Sequence, residues 1–292
     1  MTTLANNAVS NLTAAPIATT ASTIERITWK KQWADKLFSF RLTRPQGFHF
    51  VPGQFARIGL TGADGQILWR PYSIASATSA DFLEFFSVVV DGGAFTTKLG
   101  ACNIGDGVHL DPVAQGFLTA ERFFGLSPFE ADARDLWLFA TGTGLAPFIS
   151  MAQEANIWAQ FDRLIIVQTT REAADLAYRE EIAVINLSLN TRFPSTSKKS
   201  IVHVRTVTRQ PDDTQSMRDD GADSILHGRA TALLESGELM EKSGVALSDK
   251  HSRFMLCGNP AMVQEIRQIL KARGFRMNRK LEAGHIVVEN YW

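Results

Sequence analysis

The chain has 292 residues, 45% of them hydrophobic and 21% charged, the composition of a globular protein and a length that suggests two domains of roughly 100–150 residues each. Basic and acidic residues balance at 30 each, which leaves no global charge to draw nucleic acid, and no apolar run approaches the roughly 20 residues of a membrane-spanning helix. Cys102 and Cys257 are too few for a thiolate-held iron–sulfur cluster and read as reduced thiols of an intracellular protein.

No metal site is expected. If the chain moves electrons, its own equipment is therefore an organic cofactor, and any metal centre belongs to another molecule.

Residues 1–22 are rich in Ala, Thr, Asn and Ser and carry no charge, as a disordered tail would. The first basic residue is Arg26, so a secretory or mitochondrial leader would lack its basic residues, and a cytoplasmic protein is expected. From Thr23 the pattern is that of strands: Ile24–Lys30, Leu37–Leu42, Gln54–Leu60, Arg70–Ala75, Phe82–Val90 and a last one near Val108–Leu110. Turn signals such as Arg44-Pro-Gln-Gly47, Val51-Pro-Gly53 and Asp91-Gly-Gly93 separate them, which predicts a small sandwich or barrel over 23–130. Around Ala131–Asp135 the texture changes. Leu136–Ala140, Leu164–Gln168, Ile201–Thr206 and Phe254–Cys257 read as buried strands. They alternate with helical spacing over Pro147–Ala159, a stretch ending at Ile185, and Ala261–Ala272. This predicts a parallel α/β domain over 131–292. The polar segment Gln210–Asp223 reads as an exposed loop.

Ala140-Thr-Gly-Thr-Gly-Leu-Ala-Pro147 lies where a strand ends and a helix begins. Glycines there admit a close ligand, and a helix N-terminus favours phosphate. Pro147 departs from the G-x-G-x-x-G spacing, and taken alone the stretch reads equally as a tight turn. Arg70-Pro-Tyr-Ser73 sets a guanidinium and an aromatic ring on one side of a strand, with the Ser73 hydroxyl on the other unless the strand kinks. A guanidinium suits a pyrophosphate and a ring suits a flavin face; in isolation the same residues describe an edge-strand arginine beside a half-buried tyrosine. Arg171, Arg209 and Arg229 each follow a predicted strand end or turn, on the side where open α/β sheets bind ligands. Several guanidinium groups converging there would suit the 2′-phosphate of NADPH. The chain ends Glu289-Asn-Tyr-Trp292, and two aromatics at that position read either as a core anchor or as a lid over a planar ligand.

Together, Arg70-Pro-Tyr-Ser73, Ala140-Thr-Gly-Thr-Gly144, Cys257-Gly-Asn-Pro260 and Tyr291-Trp292 resemble the motifs of the bacterial plant-type ferredoxin/flavodoxin–NADP⁺ reductases, in the same order, over residues 24–292. The resemblance implies an antiparallel six-stranded FAD-binding β-barrel followed by a parallel-sheet α/β NADP-binding domain. For FAD it implies Arg70 at the pyrophosphate, Tyr72 against one flavin face and Ser73 near the reactive N5. It places Phe86, Ser87, Val88 and Val89 along the ribityl and phosphate side, Thr96 at the pyrophosphate, and Thr141 where the Gly-rich turn meets the cofactor. Tyr291 and Trp292 would cover the flavin and its adenine part. For NADP(H) it implies Thr143 and Gly144 in the Gly-rich turn, Cys257 and Gly258 beside the nicotinamide, and Arg171, Arg209 and Arg229 at the 2′-phosphate. Ser73, Cys257 and Glu289 would be the catalytic group, with Glu289 aiding proton traffic. Pro71 stands where the family more often has Ala, and Ala94 where some members have Lys.

The implied activity passes electrons between NADPH and a ferredoxin or flavodoxin, acting on a monomer's exposed flavin edge. Acidic carriers would be steered by basic residues there, for which Arg41, Arg44, Arg57 and Lys98 are candidates. Three rival readings remain: a reductase that serves an oxygenase, free flavin or a metal, a sensor that holds FAD or NADP(H) without turnover, and a scaffold whose nucleotide motifs are relics.

Overall fold

The computed structural model describes residues 22–124, 132–193, 199–209, 224–279 and 282–289. The tail up to residue 21, the expected domain boundary at 130, the Gln210–Asp223 segment, and the terminal Tyr291 and Trp292 lie outside the described residues.

The first half is an antiparallel sheet of six strands: β1 (Thr23–Ala34), β2 (Leu37–Thr43), β3 (Phe55–Thr61), β4 (Ile67–Ser73), β5 (Phe82–Val88) and β6 (Gly107–Leu110), in the order β4-β3-β6-β1-β2-β5. Its two edges meet. Ile74 bridges Phe85, and the Ala75 N–H donates to the Glu84 carbonyl at 2.8 Å, which closes the sheet into the expected barrel. A helix absent from the sequence reading, α1 (Ala94–Ala101), plugs one end with Phe95 and Leu99. Pairing aligns Phe40 with Phe85 and Leu42 with Leu83, and these rings and chains form the barrel interior together with Ile58, Val108 and Leu110. Alternate residues of the same strands, Leu37 and Phe86, belong to a different core shared with the second half. Strands β2 and β5 are thus buried on both faces, and the polar side chains within them, Ser39 and Glu84 among them, are buried as well.

The second half is a wholly parallel sheet of β7 (Asp135–Thr141), β8 (Arg163–Thr170), β9 (Ser200–Val207), β10 (Leu226–His227), β11 (Ser252–Cys257) and β12 (Ile286–Val288), ordered β10-β9-β8-β7-β11-β12. The chain winds outward from β7 to β8 and β9, then returns to the other side of β7 with β11. The crevice beyond the carboxyl ends of β7 and β11 is therefore the switch point at which such sheets bind ligands.

The helices depart from the reading in instructive ways. The expected helix Pro147–Ala159 is two, α2 (Ala146–Ala152) and α3 (Ala155–Gln160). Between them, Gln153 Nε2 donates to the Ala75 carbonyl at 3.0 Å, and the Glu154 carboxylate accepts from the Thr78 N–H at 2.6 Å and hydroxyl at 2.8 Å. The two residues leave the helical ladder to bind a barrel loop. Helix α4 (Arg179–Arg192) runs well past Ile185. The short α5 (Ala230–Ser236) and α6 (Glu238–Ser243), split by Gly237 at φ 95°, and the three-residue β12 escaped the sequence pattern because each is too short to show a period. Helix α7 (Pro260–Ala272) matches its expectation and starts with Asn259 as N-cap, the side chain accepting from the Ala261 and Met262 N–H groups. No helix among the described residues is long and apolar enough to cross a membrane.

Where the two sheets meet, Tyr178 is the central side chain. It is 1% exposed, with its ring centroid 4.7 Å from that of Trp33 and 5.2 Å from that of Phe86. Its hydroxyl lies 2.6 Å from Ser39 Oγ and 2.7 Å from Glu84 Oε1. Its backbone sits in the left-handed region at φ 63°, a placement that costs a non-glycine residue about 1–3 kcal/mol and is retained only where surrounding contacts enforce it. The ion pair Lys31–Glu181 at 2.6 Å adds a second tie between barrel and α4.

His285, just before β12, is buried; its Nδ1 accepts the Arg276 N–H at 3.0 Å and its Nε2 donates to the Asp249 carbonyl at 2.9 Å. This pattern requires the neutral ring, and burial holds its pKa below the ordinary 6.5. Below that pH the unfolded chain takes up the proton first, so stability is lost as pH falls through 6.5 toward the folded-state pKa. Thermal melts between about pH 7.5 and 5 should show a steeper acid loss for the wild type than for His285→Gln, which keeps one acceptor and one donor but does not titrate. Parallel pH profiles would refute this.

Candidate active site

On the barrel side, β4 carries the site. The Tyr72 ring packs among Phe40, Phe85 and Phe95 at centroid distances of 6.2, 6.4 and 6.0 Å, and its hydroxyl lies 3.0 Å from Ser87 Oγ. Burial raises its pKa, so the phenol stays neutral. Arg70 is exposed; one guanidinium nitrogen reaches the Trp69 carbonyl at 2.8 Å, and Cζ lies 6.0 Å from the Phe95 ring centre. Phe95 thus joins Arg70 and Tyr72 on one side of the strand, as their alternation predicts. It also stands in the first turn of α1, which begins after Gly93 with no side-chain cap. A guanidinium beside uncapped helix N–H groups is a donor set that fits a pyrophosphate.

The other barrel candidates divide. Thr96 Oγ1 accepts the Val90 N–H at 3.0 Å and bonds the Gly93 carbonyl at 3.2 Å, so it shapes the Gly92-Gly93 turn. Ser87 is buried, Val88 and Val89 are half-buried, and the Phe86 side chain turns into the junction against Tyr178. Ser73 is half-buried at the end of β4.

On the sheet side, Thr141 ends β7 and a 3₁₀ turn, Gly142–Leu145, leads into α2, with Pro147 in its first turn. That is a position where proline's missing N–H costs nothing. The glycines serve a purpose the sequence did not reveal. A Cβ on Gly144 would lie 2.5 Å from the Cys257 carbonyl oxygen, and one on Gly258, at φ 127°, would lie 2.1 Å from Thr141 Oγ1. Thr141 Oγ1 in turn accepts the Asn259 N–H at 2.7 Å. The ends of β7 and β11 are interlocked, with the half-buried Thr143 beside them.

Cys257 is 1% exposed. Burial, and then the nearby Glu289 charge, push its thiol pKa far up, so it is a neutral thiol and not a nucleophile. Glu289 Oε1 accepts the Phe117 N–H at 3.3 Å, and Gly116, at φ 111°, leaves room for this carboxylate that a Cβ at 2.9 Å from Oε1 would take. The sequence reading named Glu289 but not Gly116 and Phe117; their turn is visible, yet its partner lies 172 residues away.

Arg171, Arg209 and Arg229 are all exposed and follow the carboxyl ends of three neighbouring strands, β8, β9 and β10. The Arg209 N–H donates to the Arg171 carbonyl at 2.9 Å, and the Gly228 N–H to the Val207 carbonyl at 2.9 Å. The three residues thus stand at the ends of adjacent strands, tied to one another through main chain. The steering candidates fare differently. Arg44 spends its guanidinium on the Phe48, Thr78 and Ala80 carbonyls, and Arg41 pairs with Glu84 at 2.8 Å between the Trp29 and Phe82 rings. Arg57 faces Asp111 at 3.6 Å and Lys98 donates to the Thr61 carbonyl. All four are engaged within the chain.

A barrel with an exposed guanidinium beside an uncapped helix start and an aromatic wall, joined to a parallel sheet, fits the class of two-domain flavin- and nicotinamide-dependent oxidoreductases. Residues 27–114 match the oxidoreductase FAD-binding domain family, and residues 138–268 the oxidoreductase NAD-binding domain family. The chain is 36% identical to ferredoxin–NADP reductase A of Sorangium cellulosum, over 88% of this chain and 85% of that one, and 32% identical to ferredoxin–NADP reductase of Azotobacter vinelandii, over 91% and 96%. A crystal structure of a ferredoxin NADP⁺ reductase from Neisseria gonorrhoeae with bound FAD and NADP superposes with a TM-score of 0.79 at 32% identity, covering 93% of this chain and 99% of that one. The chain belongs to the ferredoxin–NADP reductase family.

Because Gly258 touches Thr141, Gly258→Ala should break the Thr141–Asn259 bond and destabilise the chain by about 2–4 kcal/mol, combining a forbidden φ with a backbone clash. Thermal unfolding checks this, and a melting temperature unchanged from wild type would contradict the interlock.

Proposed function

We propose that this chain takes a hydride from NADPH onto FAD and hands the electrons one at a time to a ferredoxin or flavodoxin, as a monomer in the cytoplasm. The observation that carries the reading is the meeting of two half-sites. Arg70, Tyr72 and the α1 N-terminus form one on the barrel, and Cys257, Glu289 and three strand-end arginines form the other on the sheet; the Gly116-Phe117 turn that leaves the barrel touches Glu289 directly.

FAD, when bound, supplies the hydride acceptor and the conversion from two-electron to one-electron transfer. Arg70 and the α1 N–H groups hold its pyrophosphate, and Tyr72, fixed by Ser87, presents a ring face to the flavin. Phe86, Ser87, Val88 and Val89 back the ribityl side, mostly through main chain, and Thr96 sets the turn at the phosphates. Ser73 orients the reactive edge of the flavin. Thr141, Thr143, Gly144 and Gly258 shape the nicotinamide end of the crevice, with Cys257 as a neutral thiol filling its floor. Glu289, held by the Phe117 N–H, is the site's proton acceptor or donor. Arg171, Arg209 and Arg229 take the 2′-phosphate and so select NADPH over NADH. The resemblance of the terminal motif assigns Tyr291 and Trp292 to the same flavin site. Family membership supports the carrier assignment over the oxygenase and sensor readings.

The first test is an anaerobic titration of the purified flavoprotein. Flavin absorbance should bleach with NADPH at far lower concentration than with NADH, and the reduced protein should pass electrons to ferredoxin or flavodoxin. A protein that binds FAD yet never bleaches would be a sensor, not a reductase. Each guanidinium–phosphate contact contributes about 1.5–3 kcal/mol, so Arg171→Ala or Arg229→Ala should weaken NADPH roughly 10- to 100-fold and leave NADH within about twofold. Equal losses for both nucleotides would remove these residues from the 2′-phosphate site.

A further inference from the structure

We propose that Tyr178 is a positioning residue for hydride transfer, holding the arginine-bearing end of the parallel sheet at a fixed place relative to the strand that backs Tyr72. The inference rests on the site assignment above, with the flavin against Tyr72 and the nucleotide phosphate at Arg171.

The chain itself connects the two places. Beyond Arg171 it makes a short turn, Ala173–Asp175, and returns to the sheet, where Gln168 Nε2 donates to the Ala177 carbonyl at 3.2 Å. Tyr178 is the next residue. Across the junction it touches β5 twice, through Glu84 at its hydroxyl and Phe86 at its ring. The residue after Phe86 is Ser87, whose hydroxyl lies 3.0 Å from that of Tyr72. One tyrosine therefore separates the loop that begins at the proposed phosphate arginine from the strand that fixes the proposed flavin tyrosine.

The hydrogen bonds around it have one possible direction. Trp33 Nε1 is only a donor and gives its proton to Ser39 Oγ at 2.9 Å. Glu84 as a carboxylate only accepts, so the Tyr178 proton lies on the 2.7 Å bond to Oε1. The 2.6 Å contact between Ser39 and Tyr178 must then carry the serine proton. The chain Trp33→Ser39→Tyr178→Glu84 is fully determined, and Arg41 closes it at 2.8 Å from Glu84 Oε2. Burial and the Glu84 charge raise the Tyr178 pKa well above its usual value, so it remains a donor at any working pH. A buried chain of this kind has one good geometry. The left-handed backbone at Tyr178 is a further sign that its place is enforced from outside the helix it precedes. Volume alone would be supplied by a phenylalanine; the oxygen adds registration.

Registration matters because hydride transfer needs its two reacting atoms about 3–3.5 Å apart, and a displacement of about 1 Å costs on the order of 100-fold in rate. Tyr178 touches neither reacting group and acts through Ser87 and the Arg171 loop.

The test uses Tyr178→Phe in the FAD-loaded full chain, with Ser39→Ala as a milder variant that leaves the tyrosine in place. Calorimetry measures affinity for 2′,5′-ADP, which occupies the phosphate end alone. Stopped-flow absorbance measures flavin reduction at saturating NADPH, and deuterium exchange follows peptides covering 171–178 and 84–88. For Tyr178→Phe, we expect flavin content and 2′,5′-ADP affinity within about twofold of wild type, a reduction rate roughly tenfold lower, and faster exchange in both peptides together. Ser39→Ala should follow the same pattern at roughly threefold, and it decides alone if Tyr178→Phe does not fold. Wild-type reduction rates overturn the proposal, as does a loss of rate in proportion to flavin content, which would make Tyr178 merely structural. Arg171→Ala, assayed in parallel, separates the two levels. If it weakens 2′,5′-ADP binding roughly 10- to 100-fold while the Tyr178 and Ser39 variants reduce normally, the site assignment stands and the positioning role falls.

Discussion

Strands β2 and β5 are covered on both faces, and the second covering determines how the two halves of the molecule are placed. Inward, Phe38, Phe40, Leu42, Leu83 and Phe85 fill the barrel; outward, Leu37 and Phe86 enter the core of the parallel sheet. Fully burying such a side chain contributes about 1.5–3 kcal/mol, so the junction is part of the fold rather than a contact between finished domains. The polar groups caught there, Ser39, Glu84 and Tyr178, have to be satisfied by one another because water is excluded. Their hydrogen bonds are directional where apolar contacts are not, and this turns a hydrophobic seam into a registered one.

Placing the sheet in this way brings its switch point to the mouth of the barrel. The site then divides its labour by electrostatics. On the proposed assignment, fixed positive charge stands at both phosphate sites, at Arg70 with the α1 N–H groups and at the three arginines beyond β8, β9 and β10. Between them, on the same assignment, stand a phenol and a thiol, both neutral with raised pKa values, and small hydroxyls. Glu289 is the charged residue of this middle region, and its carboxylate is tied to the Phe117 N–H.

Much of this architecture was legible in the sequence because it repeats locally. Alternating Phe and Leu with turn residues at close spacing marked the barrel, and strand–helix alternation marked the parallel sheet. The Arg70–Ser73 stretch announced its own geometry through the two-residue period of a strand. What the sequence missed had no local signature. Helix α1 is eight residues long and lies inside a run read as strands and turns. The break between α2 and α3 arises because Gln153 and Glu154 bind a barrel loop that is more than 70 residues away. Arg41 and Arg44 looked like surface charge, yet each is held by groups that only the folded chain assembles.

The sequence by itself determined the two kinds of sheet, the order of the motifs and the chemical types at the site, since these follow from periodicity and from what each side chain can donate, accept or stack. The tertiary structure decided which glycines answer to a ligand and which to the chain itself. Gly144, Gly258 and Gly116 are required by approaching backbone or carboxylate, from β11, Thr141 and Glu289. It also decided that Tyr178, an ordinary residue within a helical stretch of the sequence, stands at the junction with its hydroxyl committed. The physical reason is the same in both cases. Close packing and buried hydrogen bonds join residues far apart in the chain, and no local pattern of residue types records which partner will arrive.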